Sequence, residues 1–336
     1  MSNLISDFKR NKLANLKNSY NKTLFILNKN YIIETRNINK LHIHVKLKKN
    51  AINNINTKYK QKTNNLKILF ENEVKKINSI SEPASIQFTL QANNKKALII
   101  GINYIGTSSM LNGCINDAKN IETYLKEQNF THIKMLTDET PITPTRANIL
   151  NEIKSLLETS NENDTLFIYY SGHGSNIVDR NGDELDGYDE LILPLDFNFI
   201  KDDELKTLIN TYGKSNTNLI AFFDSCNSGS ALDLKYQILE KVNYDDISEN
   251  TNTMETNCNV LFISGCRDDQ VSIETFINNK TQGAMTWSFL EIVQNNKSLT
   301  WRNLVKKMRE ILKSQSYQIP QLSSGRLFNP DSDFIL

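Results

Sequence analysis

The sequence predicts an α/β fold in which a mostly parallel β-sheet is sandwiched between helices, preceded by a basic and largely helical N-terminal extension. From residue 95 onward, short and nearly continuous apolar runs alternate with stretches of helical periodicity. Such runs are typical of parallel strands that are buried on both faces. Before residue 95 the chain is instead rich in Lys and Asn, and its apolar residues recur every three or four positions.

Strands and helices alternate along the sheet region. Apolar runs that close in Gly, Asp or Cys predict buried strands, and stretches with one apolar face predict helices. The segment "TPTRANILNEIKSLLE" (143–158) is predicted to begin with a Thr cap and with Pro144 at the first helical position. The predicted strands are 96–103, 132–138, 164–174, 218–226 and 259–266, and the predicted helices are 114–130, 143–158, 202–211, 284–294 and 300–313.

The extension is predicted to span residues 1–80, and a linker with small polar residues and a proline follows over residues 81–94. The segment "LHIHVKLKK" (41–49) alternates apolar and polar residues, so we expect a short strand there, with His42 and His44 on its solvated side. The helical spacing is formed by Leu13, Leu16, Tyr20, Leu24, Leu27 and Tyr31, and the alternation by Leu41, Ile43, Val45 and Leu47.

Charge divides the chain into a basic arm and an acidic body. Residues 1–94 contain 17 Lys and Arg against 5 Asp and Glu, although the whole chain has a net charge of only +1. A basic arm favours nucleic acid or an anionic surface as a partner. This arm lacks dense arginine and interleaved aromatic residues, so we expect neither a nucleic-acid partner nor a membrane partner.

Cysteine usage and the lack of targeting signals indicate a cytoplasmic protein. The four cysteines form no C-x-x-C pair and no framework spacing, which favours reduced thiols over disulfides or structural zinc. No uninterrupted apolar stretch of 18 residues is present, and Lys and Arg interrupt the N-terminus early. We therefore expect neither a membrane span nor a signal peptide.

Two of the predicted strands end in reactive side chains, one in "SGHG" (171–174) and another in "DSC" (224–226). Ligands of open α/β sheets bind at the carboxyl ends of the strands, so we expect His173 and Cys226 to face each other there. A thiolate is a strong nucleophile, and a nearby imidazole accepts the thiol proton and later protonates a leaving amine. These residues predict a Cys-His dyad, with the backbone N–H groups of Gly174 and Cys226 as oxyanion donors.

Seven blocks of the sequence resemble the signature blocks of metacaspases, the calcium-dependent relatives of caspases. They occur in the family's order from residue 95 to about 325, and the short connection over 234–258 resembles that of type I metacaspases. The resemblance implies a caspase-like domain over 95–336, with a six-stranded sheet and cysteine endopeptidase activity. The blocks are "GCINDA" (113–118), "YYSGHG" (169–174), "NGDELDGYDELILPLD" (181–196), "FFDSCNSGS" (222–230), "SGCRDDQ" (264–270), "GAMTWSFL" (283–290) and "PQLSSG" (320–325).

The resemblance places the dyad on His173 and Cys226 and implies cleavage after Arg or Lys. Carboxylates beside the nucleophile attract a guanidinium or ammonium group and disfavour an acidic side chain, unlike the aspartate-specific site of true caspases. Asp117 also lies where a helix N-terminus favours an acid, so a capping role is its alternative. The substrate pocket is implied to consist of Cys114, Asp117, Ser171 and Asp224.

The resemblance also implies a calcium site that orders the loops beside the active site. Calcium prefers six to eight oxygen ligands, several of them carboxylates. The segment "DRNGDELDGYDE" (179–190) is not an EF-hand loop, because Glu184 occupies the position that requires Gly. The implied ligands are Asp189, Asp202, Asp203 and Asp233.

Two departures from the family stand out. Residues 1–80 do not resemble the Pro/Gln-rich or zinc-finger segment usual in type I relatives, and Asn227 stands beside the nucleophile where the family usually has histidine. The arm, which is rich in basic residues, is an expected substrate of the enzyme and a candidate inhibitory pro-segment. Lys235 and Lys241 in the connection are candidate second cleavage sites.

Together these features predict a calcium-stimulated, self-processing cysteine endopeptidase that is monomeric and cytoplasmic. Its expected partners are protein or peptide substrates with Arg or Lys before the scissile bond. Two alternatives remain. The first is another protease, calcium-independent and similar to paracaspases, that is specific for Arg. The second is not an enzyme but a scaffold or stress-response binding protein that kept the fold. The aspartate group argues against the first alternative, and the intact dyad argues against the second.

Overall fold

The structure is a computed structural model of the 336-residue chain. It describes residues 2–40, 45–79, 94–178, 188–225, 232–240, 245–250, 253–265, 274–277, 280–296, 298–313 and 318–336. These residues belong to two compact units, Met1–Ala84 and Ser85–Leu336, and each is described by itself. No helix in the described part of the chain is long and apolar enough to cross a membrane.

The N-terminal unit is a pair of long helices, α1 (Ser2–Lys40) and α2 (Val45–Ser79). Half-buried side chains spaced by three or four positions line the contact between the two helices. The rings of Tyr20 and Phe70 lie 4.6 Å apart across this contact, and a second aromatic pair has a ring distance of 4.5 Å. The helical periodicity predicted for this unit is therefore confirmed.

The strand predicted over residues 41–49 is wrong in the part that the structure describes. Val45 and Leu47 lie in the first turn of α2, with 78% and 60% of their surfaces exposed. Residues 41–44, including His42 and His44, lie outside the described residues. Alternation is a weak signal here because no strand among the described residues covers Val45 or Leu47, and strand formation depends on such neighbours.

The second unit contains most of the secondary structure of the chain. Its described helices are α3 (Cys114–Glu127), α4 (Arg146–Glu158), α5 (Asp202–Tyr212), α6 (Ala284–Asn295) and α7 (Trp301–Lys313). Its described strands are β1 (Lys95–Gly101), β2 (His132–Thr137), β3 (Thr165–Ser171), β4 (Gly174–Val178), β5 (Tyr188–Ile192), β6 (Ile200–Lys201), β7 (Asn218–Asp224), β8 (Tyr236–Glu240), β9 (Asp245–Glu249), β10 (Asn259–Ser264), β11 (Glu274–Ile277), β12 (Lys280–Gly283) and β13 (Gln321–Ser324).

Eight of these strands form one sheet in the order β2-β1-β3-β7-β10-β13-β8-β9. The first five run parallel to one another, and the last three extend the sheet in antiparallel pairs. The predicted α/β fold is confirmed, and so is the adjacency of the strands that precede His173 and Cys226. The described sheet has eight strands rather than the predicted six, because the connection over 234–258 contributes β8 and β9.

Helices cover both faces of this sheet. The helices α3, α6 and α7 share one apolar core with one face, and α4 and α5 share a second core with the other face. Successive side chains of a strand point to opposite faces, so Ala97 and Ile99 belong to the first core while Leu98 and Ile100 belong to the second. This two-sided burial explains the nearly continuous apolar runs in the sequence.

The start of α4 differs in detail from the prediction. Thr145 is the N-cap, and its hydroxyl accepts a hydrogen bond from the backbone N–H of Asn148 at 3.4 Å. Pro144 therefore precedes the cap and is not the first helical residue. The other four predicted helices are confirmed with small differences at their ends.

Two smaller sheets stand beside the main one and were not predicted. The strands β4, β5 and β6 form an antiparallel sheet that begins directly after His173. The strands β11 and β12 form a hairpin that leads into α6. Both matter for the site, because β5 carries one predicted calcium ligand and β12 ends beside the predicted substrate pocket.

Candidate active site

The carboxyl ends of β1, β3 and β7 lie side by side at one edge of the main sheet. The parallel register aligns Gly101 of β1 with Ser171 of β3, and Ser171 with Asp224 of β7. His173 and Cys226 each follow their strand by two residues. The predicted dyad thus belongs to neighbouring strand ends, although Cys226 itself lies outside the described residues.

The first turn of α3 packs directly on the end of β1. A side chain on Gly101 would meet the carbonyl oxygen of Cys114 at 2.5 Å and Cβ of Ala118 at 2.8 Å, so glycine is required for this approach. The contact brings Cys114 and Asp117 toward the strand end that carries Ser171. Three of the four predicted pocket residues are gathered in this way, and none is more than 5% exposed.

A main-chain carbonyl holds the imidazole of His173 in one orientation. Nε2 of this ring lies 2.8 Å from the carbonyl oxygen of Ser109. A carbonyl oxygen only accepts hydrogen bonds, so Nε2 carries the hydrogen and Nδ1 keeps the lone pair in the neutral ring. The contact therefore leaves Nδ1 as the nitrogen of the neutral ring that can accept a proton.

Tyr104 packs against the same ring and fixes the backbone that carries it. The two ring centroids lie 4.7 Å apart, and the Tyr104 hydroxyl accepts a hydrogen bond from the backbone N–H of His173 at 2.9 Å. The same hydroxyl donates to the carbonyl oxygen of Leu193 at 2.5 Å. Burial raises the pKa of Tyr104 far above its usual value, so the phenol stays protonated and remains a donor.

The predicted oxyanion donors are described only in part. Gly174 begins β4 and is aligned with Ile192 of β5 in the small sheet. The second donor, the N–H of Cys226, lies outside the described residues, as does the neighbouring Asn227. The oxyanion assignment therefore stays a prediction.

The two pocket carboxylates converge beside Gly283. The backbone N–H of Gly283 donates to Oδ2 of Asp117 at 2.8 Å, so this carboxylate reaches beyond its own helix, which the alternative of a capping role does not explain. A Cβ on Gly283 would lie 3.0 Å from that oxygen and inside van der Waals contact with Oδ2 of Asp224. The two oxygens are therefore close enough for one cation to contact both.

Three of the four predicted calcium ligands lie together. Carboxylate oxygens of Asp189 in β5 and of Asp202 and Asp203 at the start of α5 lie within 4.8 Å of one another. Burial raises the pKa of Asp202 to about 6, because a desolvated carboxylate is less stable in its charged form. Lys201 offsets part of the negative charge, with Nζ 2.5 Å from Oδ2 of Asp189. A donor set made only of carboxylate oxygens suits a hard cation such as calcium.

Asp233 is not part of this group of carboxylates. Its side chain contacts the ammonium group of Lys206, the hydroxyl of Thr253 at 2.7 Å and the side-chain amide of Asn250 at 3.3 Å. These contacts place Asp233 in a different polar cluster. The structure thus brings three of the four predicted ligands together and gives the fourth a different set of partners.

Comparison with known proteins identifies the family. Residues 95–235 match the metacaspase peptidase C14 domain. Metacaspase-1 of Candida albicans is 35% identical in an alignment 315 positions long, and the match covers 76% of this chain and 70% of the relative. Metacaspase-1A of Aspergillus terreus is 36% identical in an alignment 292 positions long, and the match covers 71% of this chain and 72% of the relative. The chain belongs to the metacaspase family.

This metacaspase is accordingly a cysteine endopeptidase, and the predicted family and enzyme class are confirmed. A crystal structure of a protein from Geobacter sulfurreducens shares the fold, with a TM-score of 0.53 and 24% identity, and the match covers 70% of this chain and 95% of that one. Caspase-1 from Spodoptera frugiperda aligns with a TM-score of 0.48 and 10% identity over 72% of this chain and 91% of that one.

Sequence reasoning missed the residues of this metacaspase that position the predicted site. Ser109 acts through its carbonyl oxygen, which every residue possesses, so no side chain marks it in the sequence. Tyr104 reaches His173 across 69 positions of the chain, a distance over which no spacing rule applies. Gly283 opens the recognised block "GAMTWSFL", and that block is the one signal that pointed to this region.

Proposed function

We propose that this metacaspase is a calcium-stimulated endopeptidase that cleaves peptide bonds after Arg or Lys with a dyad of His173 and Cys226. The observation that carries the proposal is the convergence of two buried carboxylates, Asp117 and Asp224, at the strand ends that precede the dyad. A cationic side chain pairs with both buried charges. An acidic side chain would add a third negative charge, and a neutral one would leave both carboxylates without a counter-ion.

In the proposed reaction, Nδ1 of His173 takes the proton of the Cys226 thiol, and the thiolate sulfur attacks the carbonyl carbon of the scissile bond. As the carbon–nitrogen bond breaks, the same Nδ1 gives the proton to the leaving amine. A water molecule then attacks the thioester while Nδ1 of His173 accepts its proton. The carbon–sulfur bond breaks, the acid product leaves, and His173 returns the proton to the sulfur of Cys226. The carbonyl oxygen of Ser109 assists each step, because it accepts a hydrogen bond from Nε2–H and so stabilises the transient imidazolium of His173.

Calcium is proposed to be held by Asp189, Asp202 and Asp203. Three carboxylates within 4.8 Å repel one another, and a divalent cation would relieve that repulsion. The strand β5 that carries Asp189 pairs with β4, which begins directly after His173. Order in this small sheet therefore bears on the position of the general base, although no bond-making step requires the cation.

Matched fluorogenic peptides that end in Arg, Lys or Asp test the proposal, each with millimolar calcium and with a chelator. We expect Arg and Lys peptides to be cleaved with kcat/KM at least about a hundredfold above that of the Asp peptide, because a third negative charge is excluded. We also expect the chelator to remove most of the activity. Arg cleavage that is indifferent to the chelator would favour the paracaspase-like alternative. Folded protein that cleaves none of the peptides would favour the scaffold alternative.

Self-processing is proposed to occur after Lys76. Residues 77–94 contain no Lys or Arg, so a cut after a basic residue cannot fall in the linker. Lys95 and Lys96 begin β1, which is an interior strand with neighbours on both sides. Lys76 lies in the last turn of α2, and 73% of its side-chain surface is exposed. Helix ends open more readily than helix interiors, so this turn can present an extended peptide to a protease.

Full-length protein incubated with calcium is therefore expected to release an N-terminal fragment that ends at Lys76. Mass spectrometry detects the cut as a new N-terminus at Ile77. The Lys76→Gln variant should lose this product, whereas Lys75→Gln is the matched control that should keep it. A Cys226→Ala sample shows whether the cut is made by the enzyme itself. A fully active enzyme with an intact arm would rule out the arm as an inhibitory pro-segment.

A further inference from the structure

The first turn of α6 contacts both carboxylates of the proposed pocket. Gly283, the N-cap of α6, donates its N–H to Oδ2 of Asp117 at 2.8 Å. Thr286 donates its backbone N–H at 3.0 Å and its hydroxyl at 2.7 Å to Oδ2 of Asp224. Three donors from one helical turn therefore hold two acidic side chains that come from α3 and β7.

A buried tyrosine extends this set of hydrogen bonds. The hydroxyl of Tyr169 lies 2.7 Å from Oγ1 of Thr286. The single hydroxyl hydrogen of Thr286 points to Asp224, so Tyr169 is the donor in the second bond. Burial raises the pKa of Tyr169 well above its usual value, and the nearby charges of Asp117 and Asp224 raise it further. The phenol thus stays protonated, and the hydrogen bonds run in one direction from Tyr169 through Thr286 to Asp224.

The same turn offsets the electrostatic cost of the pocket. Two buried carboxylates that lie close together repel each other, and desolvation disfavours their charged forms. The N-terminus of a helix favours negative charge, because its N–H groups and its dipole point toward the anion. Hydrogen bonds to a carboxylate have the same effect. The position of α6 therefore helps both acids to stay charged when no cationic side chain lies between them.

We propose that Thr286 is a positioning residue for substrate specificity, which together with Tyr169 holds Asp224 as the charged receptor for the Arg or Lys side chain. Gly283 has a complementary part, since a Cβ at this position would enter the space between the two carboxylates. The inference rests on the proposed cleavage after Arg or Lys, and it adds the residues that maintain that preference.

The test compares Thr286→Val with Thr286→Ser in the full-length protein. Valine keeps the shape of threonine without the hydroxyl, and serine restores the hydroxyl. We expect the valine variant to lower kcat/KM for an Arg peptide about tenfold or more, mainly through a higher KM, because a hydrogen bond to a charged group is lost. A peptide with neutral citrulline in place of Arg should change much less. A valine variant that keeps the wild-type ratio of Arg to citrulline cleavage overturns the inference.

Benzamidine binding gives a measurement that does not require catalysis. Its amidinium group resembles the end of an Arg side chain, so calorimetry should detect binding to the full-length wild type and about tenfold weaker binding to Thr286→Val. Binding without peptide cleavage would contradict the proposed function and leave the inference standing. A folded wild type that does not bind benzamidine would overturn both the Arg or Lys preference and the inference.

Tyr169→Phe is the second variant, because Thr286 is fully buried and a substitution there risks misfolding. The change removes the donor to Thr286 without emptying the core. We expect the dissociation constant for benzamidine to rise by about two- to fivefold, as expected for the loss of a neutral hydrogen bond next to the receptor. If Tyr169→Phe has the dissociation constant for benzamidine and the Tm of the wild type, the inference is overturned even if Thr286→Val does not fold.

Discussion

Replacing Cys226 with alanine is expected to lower kcat/KM for an Arg peptide by at least about a thousandfold, because the proposed thioester forms on the sulfur of this residue. His173→Ala is expected to cause a loss of the same order, since the thiol then has no base. The double variant should be no worse than either single variant, because residues that act as a unit are not additive. Initial rates with the Arg peptide at saturating calcium measure all three effects.

Cys258 provides the matched control for the nucleophile. Its side chain is fully buried, and burial raises the pKa of its thiol to about 11, so it stays protonated near neutral pH. Cys258→Ala should therefore retain cleavage, and iodoacetamide should modify Cys226 in preference to Cys258. Substantial activity in Cys226→Ala, or loss of activity in a folded Cys258→Ala protein, would reject the assignment of the nucleophile.

Replacing Asp224 with asparagine is expected to have the second largest effect. The amide keeps the size of the side chain and removes its charge, so a bound Arg side chain loses one of its two counter-ions. We expect kcat/KM for the Arg peptide to fall by about a hundredfold, in the range found when one member of a buried charge pair is removed. Cleavage of the citrulline peptide should fall far less, so the preference for Arg over citrulline should largely disappear.

Asp164 is a suitable control for this change, because it is also buried but lies before the amino end of β3. Its carboxylate accepts hydrogen bonds from the Asn94 side chain at 3.0 Å and from the backbone N–H of Asn161 at 2.9 Å. Asp164→Asn should lower stability without changing the ratio of Arg to citrulline cleavage. If Asp224→Asn keeps the wild-type ratio, the carboxylate is not the receptor for the substrate cation.

The sequence predicts the sheet well where burial on both faces is complete. The strands β3, β7 and β10 are buried at every position, so an unbroken apolar run is enough to locate them. The helices α3 and α5 are equally clear, since each shows one apolar face against a polar one. The strands β3 and β7 end in Ser171 and Asp224 and lead directly to the predicted dyad, and the first turn of α3 carries Cys114 and Asp117. That part of the site could therefore be located in advance.

The strands β8 and β9 could not be predicted in the same way. Their segments, Tyr236–Glu240 and Asp245–Glu249, mix acidic and apolar residues without a clear period. Each is a strand because a neighbour pairs with it, β13 in one case and β8 in the other. The pairing of β8 with β13 joins segments far apart in the sequence, and β9 in turn depends on β8, so neither strand leaves a clear local signal.

The candidate calcium site shows a similar limit. The resemblance to metacaspases implied four aspartates as calcium ligands, but the sequence does not show which of these carboxylates lie close together in the fold. Asp202 and Asp203 share a helix start, and Asp189 lies on a strand beside it, so these three come together. Asp233 instead pairs with Lys206 of α5. The fold, and not the spacing in the sequence, decides which charged side chains become partners.

The pairing of β8 and β9 has a consequence for the covalent continuity of the chain. A cut at Lys241, between these strands, would leave β8 hydrogen-bonded to β13 and β9 hydrogen-bonded to β8. The two resulting fragments would share one sheet, because β7 from the first fragment lies next to β10 from the second. Such a nicked molecule would migrate as two bands under denaturing conditions and as one particle in native solution. The carboxyl ends of β3 and β7 would still lie side by side in it.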